Sequence, residues 1–287
     1  MKVQWFPGHM TKTLRQIKEN VHLVDLSIEL LDARIPYSSS NPELKRLIPA
    51  SKRVVVLNKC DLANPLVTSQ WIEHYKRQHT PVVAVDSKKG SGVRDLLEQL
   101  EVLGENIRER WQRRGRRNRP IRVMIVGIPN VGKSSLINRI AGKASAKTGG
   151  RPGVTRGKQW IKVTKRIDLL DTPGVLWPKF EEERVGINLA LTGAIRSEIL
   201  SLEELALKLI ERLIAADSSL LEKGYGVLGP KDTPYGVLEQ IAEKRGCLMK
   251  DGKKDTLRVS GILLEDFRTG RLGRISLEEP QADLGEE

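Results

Sequence analysis

The stretch GIPNVGKSS at residues 127–135 constrains this chain more than any other feature. Its first eight residues fit the pattern GxxxxGK[ST]. The apolar run IRVMIVG before it predicts a strand, and the residues from Lys133 to about Ala141 predict a helix. Between a strand and a helix, the backbone N–H groups of such a loop converge on one point, which suits a phosphate group. We therefore expect a parallel α/β sheet with a phosphate site at the carboxyl edge of one strand.

This loop also supplies the side chains that a nucleoside triphosphate requires. Lys133 would add a positive charge beside the β- and γ-phosphate oxygens, and the Ser134 hydroxyl would bind Mg²⁺. The context of strand, loop and helix makes a chance match improbable. The other loop residues that we expect to contact the nucleotide are Asn130, Val131, Gly132 and Ser135.

A second phosphate motif, DTPG at 171–174, follows the apolar run IDLL about 40 residues later. We expect Asp171 to hold Mg²⁺ through water and the Gly174 amide to contact the γ-phosphate. Thr155 falls between the two motifs, where a threonine would ligate Mg²⁺ only when the γ-phosphate is present. Thr148 is the weaker candidate for that role.

Two motifs that address a base precede these phosphate motifs. NKCD at 58–61 ends the strand pattern RVVVLN, where Asp61 can accept hydrogen bonds from N1–H and the exocyclic amine of guanine. Adenine would set its N1 lone pair against the carboxylate, and such mismatches cost a factor of roughly 10⁴ to 10⁵. The sequence therefore predicts GTP and GDP as ligands. The predicted base site comprises Asn58, Lys59 and Asp61, with Ser87 and the Lys88 amide beside guanine O6.

The order of these motifs is unusual. In ordinary GTPases the phosphate loop comes first and the base motifs come last, whereas here the base motifs precede the loop. Rotated in this way, the motifs NKCD, DSKK, GIPNVGKS, GVTR and DTPG, together with DARIP at 32–36 and WFPGHM at 5–10, resemble the circularly permuted GTPases of the YlqF family. The resemblance covers essentially the whole chain. It implies a GTPase that binds the large ribosomal subunit, its rRNA and its ribosomal proteins during late assembly.

Composition and patterning divide the chain in two. At 287 residues it is long enough for two domains. We predict a circularly permuted GTPase domain at 1–177 and a small all-α domain at 178–287, because after Trp177 the apolar residues recur at the three-to-four spacing of helices. The arginine-rich segment 106–120 is predicted to be a connector. Two cysteines, no apolar signal segment and no membrane-length run predict a cytoplasmic protein, which we expect to be a monomer when free.

A net charge of +13 favours a polyanionic partner, with nucleic acid as the leading candidate and an anionic membrane surface as the second. Seven arginines lie between 108 and 119, and nine basic residues face four acidic ones between Lys244 and Arg274. A solvated charged face is the alternative explanation. Two other functions also stay open, namely a signalling switch with a protein partner and an RNA-binding module that uses GTP as a structural ligand.

Three residues decide finer points of the chemistry. Val175 stands where many GTPases place a glutamine that orients the attacking water, and valine can neither donate nor accept. His9 resembles a histidine that this family places near the nucleotide, although a capping or packing role is equally open. Asn130 resembles the asparagine of potassium-stimulated GTPases, which makes K⁺ a candidate cofactor beside Mg²⁺; the alternative is a role in turn geometry.

Overall fold

The structure, a computed structural model, describes residues 9–116, 119–142, 159–177, 180, 182–195, 201–217, 219–227 and 233–280. The side chains of His9 and Gln159 lie outside this description. None of the helices in these ranges is long and apolar enough to cross a membrane.

The sheet and its helices are formed by the first part of the chain. In chain order the elements are α1 (His9–Val21), β1 (Leu26–Asp32), α2 (Pro36–Ser39), α3 (Pro42–Leu47), a 3₁₀ turn (Ala50–Lys52), β2 (Arg53–Asn58), α4 (Pro65–Arg77), β3 (Val82–Val85), α5 (Val93–Arg113), β4 (Ile121–Gly127), α6 (Lys133–Ala141), β5 (Gln159–Lys162) and β6 (Ile167–Asp171). The helices that follow are α7 (Glu183–Leu191), α8 (Leu202–Asp217), α9 (Ser219–Tyr225), α10 (Pro234–Lys244) and α11 (Thr256–Thr269).

The six strands form one sheet in the order β3-β2-β1-β4-β6-β5. All neighbouring pairs are parallel except β5 with β6, which are antiparallel. The base motif follows β2 and the phosphate loop follows β4, and β1 alone separates these two strands. Parallel strands end at the same edge, so this order brings the two motifs to one side of the sheet. The expected fold class, a mostly parallel sheet in permuted order with helices after it, is confirmed.

Local signals in the sequence account for several helix ends. The Asn64 side chain caps α4 by accepting from the Leu66 amide at 2.9 Å, and Pro65 occupies the first turn. The Ser201 hydroxyl accepts from the Glu204 amide at 3.0 Å at the start of α8. Gly270 ends α11 with φ at +82°, a left-handed conformation that glycine adopts without strain.

The predicted connector at 106–120 is wrong in its first half, because α5 continues to Arg113. The Arg108 side chain is only 8% exposed and donates to Glu101 and Glu105 on the same helix. Ile107 and Trp111 pack against the main hydrophobic core. Arginine pairs and two apolar contacts thus stabilise helical turns that lack a regular apolar stripe.

One hydrophobic cluster extends from the sheet into the helices that follow it. It contains Ile28 and Val123 from the strands as well as Leu205, Leu238 and Phe267 from the helices. The described part of the chain after residue 182 contains no strand beyond an isolated bridge between Leu248 and Lys254. The boundary at 177/178 remains a prediction, because the two parts share this core.

Candidate nucleotide site

The phosphate loop leaves β4 and enters α6 through a strongly bent backbone. Asn130 and Gly132 have φ angles of 57° and 102°, both in the left-handed region. A Cβ atom at Gly127 would lie 2.6 Å from the Leu30 carbonyl oxygen, so glycine is required there by close packing. The helix then begins at Lys133, with its free backbone N–H groups facing the loop. This backbone fits a phosphate group, as expected from the motif.

The base motif and the phosphate loop are in direct contact. The Asn58 side-chain amide donates to the Val131 carbonyl oxygen at 2.7 Å, joining residues that are 73 positions apart. A Cβ atom at Gly132 would lie 2.3 Å from Asn58 Nδ2, so this approach requires glycine. The carbonyl end of Asn58 accepts from the Ser87 hydroxyl at 2.6 Å and from the Ser87 amide at 3.2 Å. Asn58 therefore ties together three predicted loops of one site.

The loop of residues 86–89 forms a turn of its own. Asp86 Oδ1 accepts from the amides of Lys88 at 2.8 Å and Lys89 at 3.0 Å. The sequence assigned the Lys88 amide to guanine O6, and a bond to the base would have to compete with this turn. That role of Lys88 stays a prediction. Ser87 has a clear structural role, since both of its donors bind Asn58.

Lys59 and Asp61 lie in the turn that follows β2. Lys59 adopts a φ of 60°, and the Leu62 amide donates to the Lys59 carbonyl oxygen at 2.9 Å. The Lys59 ammonium lies 2.9 Å from the Asp32 carboxylate, which is buried. Asp61 is half-buried within the turn. The turn that carries Asp61 is thus tied to β1 through the ion pair between Lys59 and Asp32.

DARIP, to which the sequence alone assigned no contact, is the anchor of this turn. The Asp32 carboxylate accepts two hydrogen bonds from the Arg34 guanidinium, at 2.9 and 2.8 Å, and one from the Lys59 ammonium at 2.9 Å. Burial alone would raise the pKa of Asp32, but the charges of Arg34 and Lys59 outweigh it and hold this pKa well below its usual range. Asp32 is therefore ionised and serves as a rigid counter-ion beneath the base motif. A charged pair at the end of an apolar strand was the signal that could have suggested it.

On the phosphate side, Lys133 is only 8% exposed and donates to the carbonyl oxygens of Gly127 at 3.0 Å and Ile128 at 2.9 Å. Burial lowers the pKa of Lys133 to about 8, although the nearby Asp171 carboxylate acts in the opposite direction. Gly174 also lies here, because a Cβ atom on it would come within 2.9 Å of Lys133 Nζ. The structure thus brings Lys133, Asp171 and Gly174 to one place.

Val175 is fully buried, and its amide donates to the Gly127 carbonyl oxygen at 3.2 Å. Its side chain packs in a cluster with Met10 and Ile17 of α1 and Leu170 of β6. It is a core residue and does not orient water. The same cluster shows that α1, which begins at His9, packs beside the DTPG segment.

The remaining predicted residues differ in how far the structure describes them. Ser134 and Ser135 lie in the first turn of α6. The Asn130 side chain donates to the Gly193 carbonyl oxygen at 2.7 Å, a contact with the turn after α7 that the sequence did not suggest. Thr148 and Thr155 lie outside the described residues, as does the His9 side chain.

The arginine stripe is partly engaged within the protein. Arg108 is buried in its ion pairs, and Arg119 binds Asp25 at 2.9 Å and lies over the Trp111 ring. In the helical part, Arg268 donates to the last carbonyls of α7, and Arg245 binds Asp266. Fewer charges than the sequence count implies are therefore available to an external partner.

The chain also resembles known proteins over its whole length. Residues 122–222 match the family described as 50S ribosome-binding GTPase. A protein of Priestia megaterium named ribosome biogenesis GTPase A is 43% identical over 98% of both chains. A protein of the same name from Thermotoga maritima is 32% identical over 97% of this chain and 95% of its own.

Two solved structures share this fold. One is a GDP-bound structure of TM YlqF, with a TM-score of 0.68 and 28% identity, covering 93% of this chain and 100% of that one. The other is a GNP-bound YlqF from Thermotoga maritima, with a TM-score of 0.67 and 28% identity, covering 94% and 99%.

Proposed function

The chain belongs to the ribosome biogenesis GTPase A family, and from this premise we propose that it binds and hydrolyses GTP as an assembly factor on a precursor of the large ribosomal subunit, in the cytoplasm. The observation that carries the proposal is the 2.7 Å hydrogen bond from Asn58 to the Val131 carbonyl oxygen. It joins the base motif to the phosphate loop, so one nucleotide can contact both. GTP hydrolysis, common to the family, argues against a purely structural nucleotide.

Asp61 is the residue that would select guanine. Its carboxylate accepts from N1–H and from the exocyclic amine, two groups that only guanine presents together among the common bases. Replacing Asp61 by Asn exchanges an acceptor for a donor, which suits the carbonyl that xanthine carries in place of the amine. We therefore expect Asp61→Asn to prefer xanthosine over guanosine nucleotides, with a change in their affinity ratio of at least about 100-fold.

Affinities of the wild type and of Asp61→Asn for GDP and xanthosine diphosphate, measured by calorimetry, test this assignment. Asp95→Asn is a matched control, because Asp95 is an exposed aspartate in the first turn of α5 and belongs to none of the predicted nucleotide motifs. An unchanged ratio in Asp61→Asn would show that the base is read elsewhere.

Lys133 and the first turn of α6 would hold the phosphates, and Ser134, Asp171 and Thr155 are the residues that would hold Mg²⁺. The bound metal supplies positive charge to the phosphate oxygens. The carboxylate of Asp171 and the ammonium of Lys133 lie close enough to interact, which suits a site for a metal and a γ-phosphate side by side.

For orientation of the attacking water we propose His9. Val175 is excluded by its burial, and Met10, the next residue after His9, packs in the same cluster as Val175. His9→Ala should lower GTP turnover by about 10² and leave GTP affinity near the wild-type value. His22→Ala, at the residue directly after α1, is the control. Unchanged turnover in His9→Ala would remove His9 from the mechanism.

Asn130 is the candidate ligand of a monovalent cation. Its amide nitrogen binds Gly193, so its side-chain oxygen is the atom that would face K⁺. Hydrolysis rates compared in potassium and sodium salts at equal ionic strength test this idea. Equal rates would leave Asn130 with the structural role only.

The proposed RNA contacts lie on the helical part. Lys244, Lys250 and Arg258 are exposed at the end of α10, in the following hairpin and on α11. Surfaces of this kind bind phosphates through charge and make affinity fall with salt. The triple variant Lys244→Gln, Lys250→Gln, Arg258→Gln should bind large-subunit precursor particles about tenfold or more weakly, with a smaller salt slope. The matched variant Lys45→Gln, Lys76→Gln, Lys165→Gln should bind as the wild type does.

We further propose that RNA binding depends on the bound nucleotide and that GTP hydrolysis releases the protein from the ribosomal particle. The intrinsic rate of GTP hydrolysis is then slow, and binding to the particle stimulates it. The Asn130 side chain of the phosphate loop binds the Gly193 carbonyl oxygen after α7. Through this contact, a shift of the loop on γ-phosphate binding would act on the helices. Such coupling is commonly about 1 to 3 kcal/mol, or about 5- to 150-fold. Equal particle affinity with GDP and with a non-hydrolysable GTP analogue would contradict it.

A further inference from the structure

The residues 274–278, here called the C-terminal strap, lie directly on the turn that carries Asp61. The Arg274 guanidinium donates to the carbonyl oxygen of Cys60 at 2.8 Å and to that of Ala63 at 3.0 Å. The Ile275 amide donates to the Leu62 carbonyl oxygen at 2.8 Å. The strap therefore binds the backbone immediately before Asp61 and the two residues after it.

The rest of the strap is fixed on either side of this contact. The Ser276 hydroxyl accepts from the Asn64 amide at 3.1 Å, and the Leu277 amide donates to the Arg34 carbonyl oxygen at 2.9 Å. The buried Glu278 carboxylate accepts from the Ser38 amide at 3.0 Å and from Asn188 at 2.8 Å. Each of five successive residues thus binds a segment of the chain outside the strap.

The end of α11 lies close to the same turn. A Cβ atom at Gly270 would lie 2.6 Å from the Leu62 Cδ2 atom. The Arg34 guanidinium, which holds Asp32 and through it faces Lys59, lies 5.2 Å from the centre of the Phe267 ring. The end of α11 therefore contacts this region twice, through its backbone at Gly270 and through the side chain of Phe267.

The geometry points to Arg274 as a positioning residue for guanine recognition. Its planar guanidinium donates to the carbonyl oxygens of Cys60 and Ala63, one residue before Asp61 in the chain and two residues after it. A rigid guanidinium that binds both oxygens fixes the distance between them. The Asp61 carboxylate must meet N1–H and the exocyclic amine together, so a change in the turn weakens both bonds. The inference rests on the proposed function, in which Asp61 reads guanine.

The test compares GDP with inosine diphosphate, which lacks the exocyclic amine and is otherwise the same ligand. The ratio of the two affinities reports how well the carboxylate meets the amine. Arg274→Ala should weaken GDP binding about tenfold and lower the GDP/IDP ratio at least about threefold. Arg271→Ala is the matched control, because the Arg271 guanidinium binds Asp266 and Thr269 within the helical part. Arg274→Lys should restore part of the ratio.

Asp61→Ala separates this inference from the assignment on which it rests. If Asp61→Ala keeps the wild-type GDP/IDP ratio, the assignment of the base site itself fails. If Asp61→Ala lowers the GDP/IDP affinity ratio to about one and Arg274→Ala leaves the ratio at its wild-type value, Arg274 does not position the turn. Equal weakening of GDP and IDP in Arg274→Ala would also overturn the inference, since it indicates a general loss of structure.

Discussion

The base half and the phosphate half of the site satisfy their charged groups in different ways. In the base half, the buried Asp32 lies between Lys59 and Arg34, and both ends of the Asn58 amide are hydrogen bonded within the protein. In the phosphate half, Lys133 is buried and its ammonium rests on two backbone carbonyl oxygens. In the first arrangement Arg34 and Lys59 donate to a carboxylate, whereas in the second Lys133 donates to neutral carbonyl oxygens and burial lowers its pKa to about 8.

This difference indicates how each half contributes to the nucleotide's affinity. The base half is preorganised, so binding guanine requires little rearrangement and its value lies in selectivity. The phosphate half holds a desolvated ammonium, and a phosphate oxygen would relieve the cost of its burial. We therefore expect substitutions in the base half to act through structure and selectivity, and those in the phosphate half to act through charge.

The largest expected effect is in the phosphate half. Lys133→Ala removes the positive charge beside the transferred phosphate and should lower GTP turnover by about 10² to 10³. Steady-state hydrolysis at saturating GTP measures it, with Lys165→Ala, an exposed lysine in the β5–β6 turn, as the control. If Lys133→Ala destabilised the fold as strongly as it lowered turnover, the contrast between the halves would be wrong.

Asp32→Asn probes the base half. It removes the carboxylate that holds the buried Arg34, and breaking a buried pair in this way costs about 3 kcal/mol of unfolding free energy. Urea unfolding would measure the loss. The exposed pair Arg94–Glu98 gives the control, since solvent screens this pair and Glu98→Gln should leave the free energy of unfolding nearly unchanged. Similar losses in the two variants would mean that Asp32 is not the anchor of this half.

Gly132→Ala tests the contact between the halves. A methyl group there would lie 2.3 Å from Asn58 Nδ2, and the backbone φ of +102° is unfavourable for alanine. We expect a loss of about 2 kcal/mol in stability and a clear fall in GDP affinity. Gly142→Ala, at the other end of α6, has φ at +66°, and its Cβ would have no neighbour within 4 Å among the described residues, so we expect mainly the backbone cost, about 1 kcal/mol. Equal effects on GDP affinity would show that the contact is dispensable.

The sequence predicted the fold where the signal was local. The strand at 121–127, the glycine loop and the helix from Lys133 to Ala141 agree with β4 and α6, because a strand, a glycine turn and a helix each have a short pattern. The rotated motif order also predicted a permuted GTPase fold, with which the strand order β3-β2-β1-β4-β6-β5 agrees. The connector at 106–120 failed because Arg108 is stabilised by Glu101 and Glu105, and such pairs leave no apolar pattern.

Contacts between distant segments were beyond the sequence. Arg274 and Cys60 are 214 positions apart, and neither is marked by a motif that would pair them. The Asn130–Gly193 bond is another example, since it depends on how α7 packs against the loop. Backbone carbonyl oxygens accept these hydrogen bonds, and every residue has such an oxygen. The residue types in the sequence therefore do not indicate which carbonyl is the partner.

The smallest expected effect is a pH dependence that arises from Lys133 in the phosphate half. Because the pKa of Lys133 is lowered to about 8, its protonated fraction falls from about 0.9 at pH 7 to about 0.1 at pH 9. A bound phosphate favours the charged form, so GDP affinity is fully present below this pKa and is lost as pH rises through it, by about tenfold over this range.

Calorimetric titrations of GDP between pH 6.5 and 9 would measure this change in the wild type and in Lys133→Arg. The guanidinium of the variant keeps its charge throughout the range, whereas ionisation of guanine affects both proteins equally. The difference between the two slopes therefore isolates the lysine. Parallel slopes would mean that Lys133 stays protonated up to pH 9, and its two carbonyl partners would then balance its charge as completely as Asp32 balances that of Arg34.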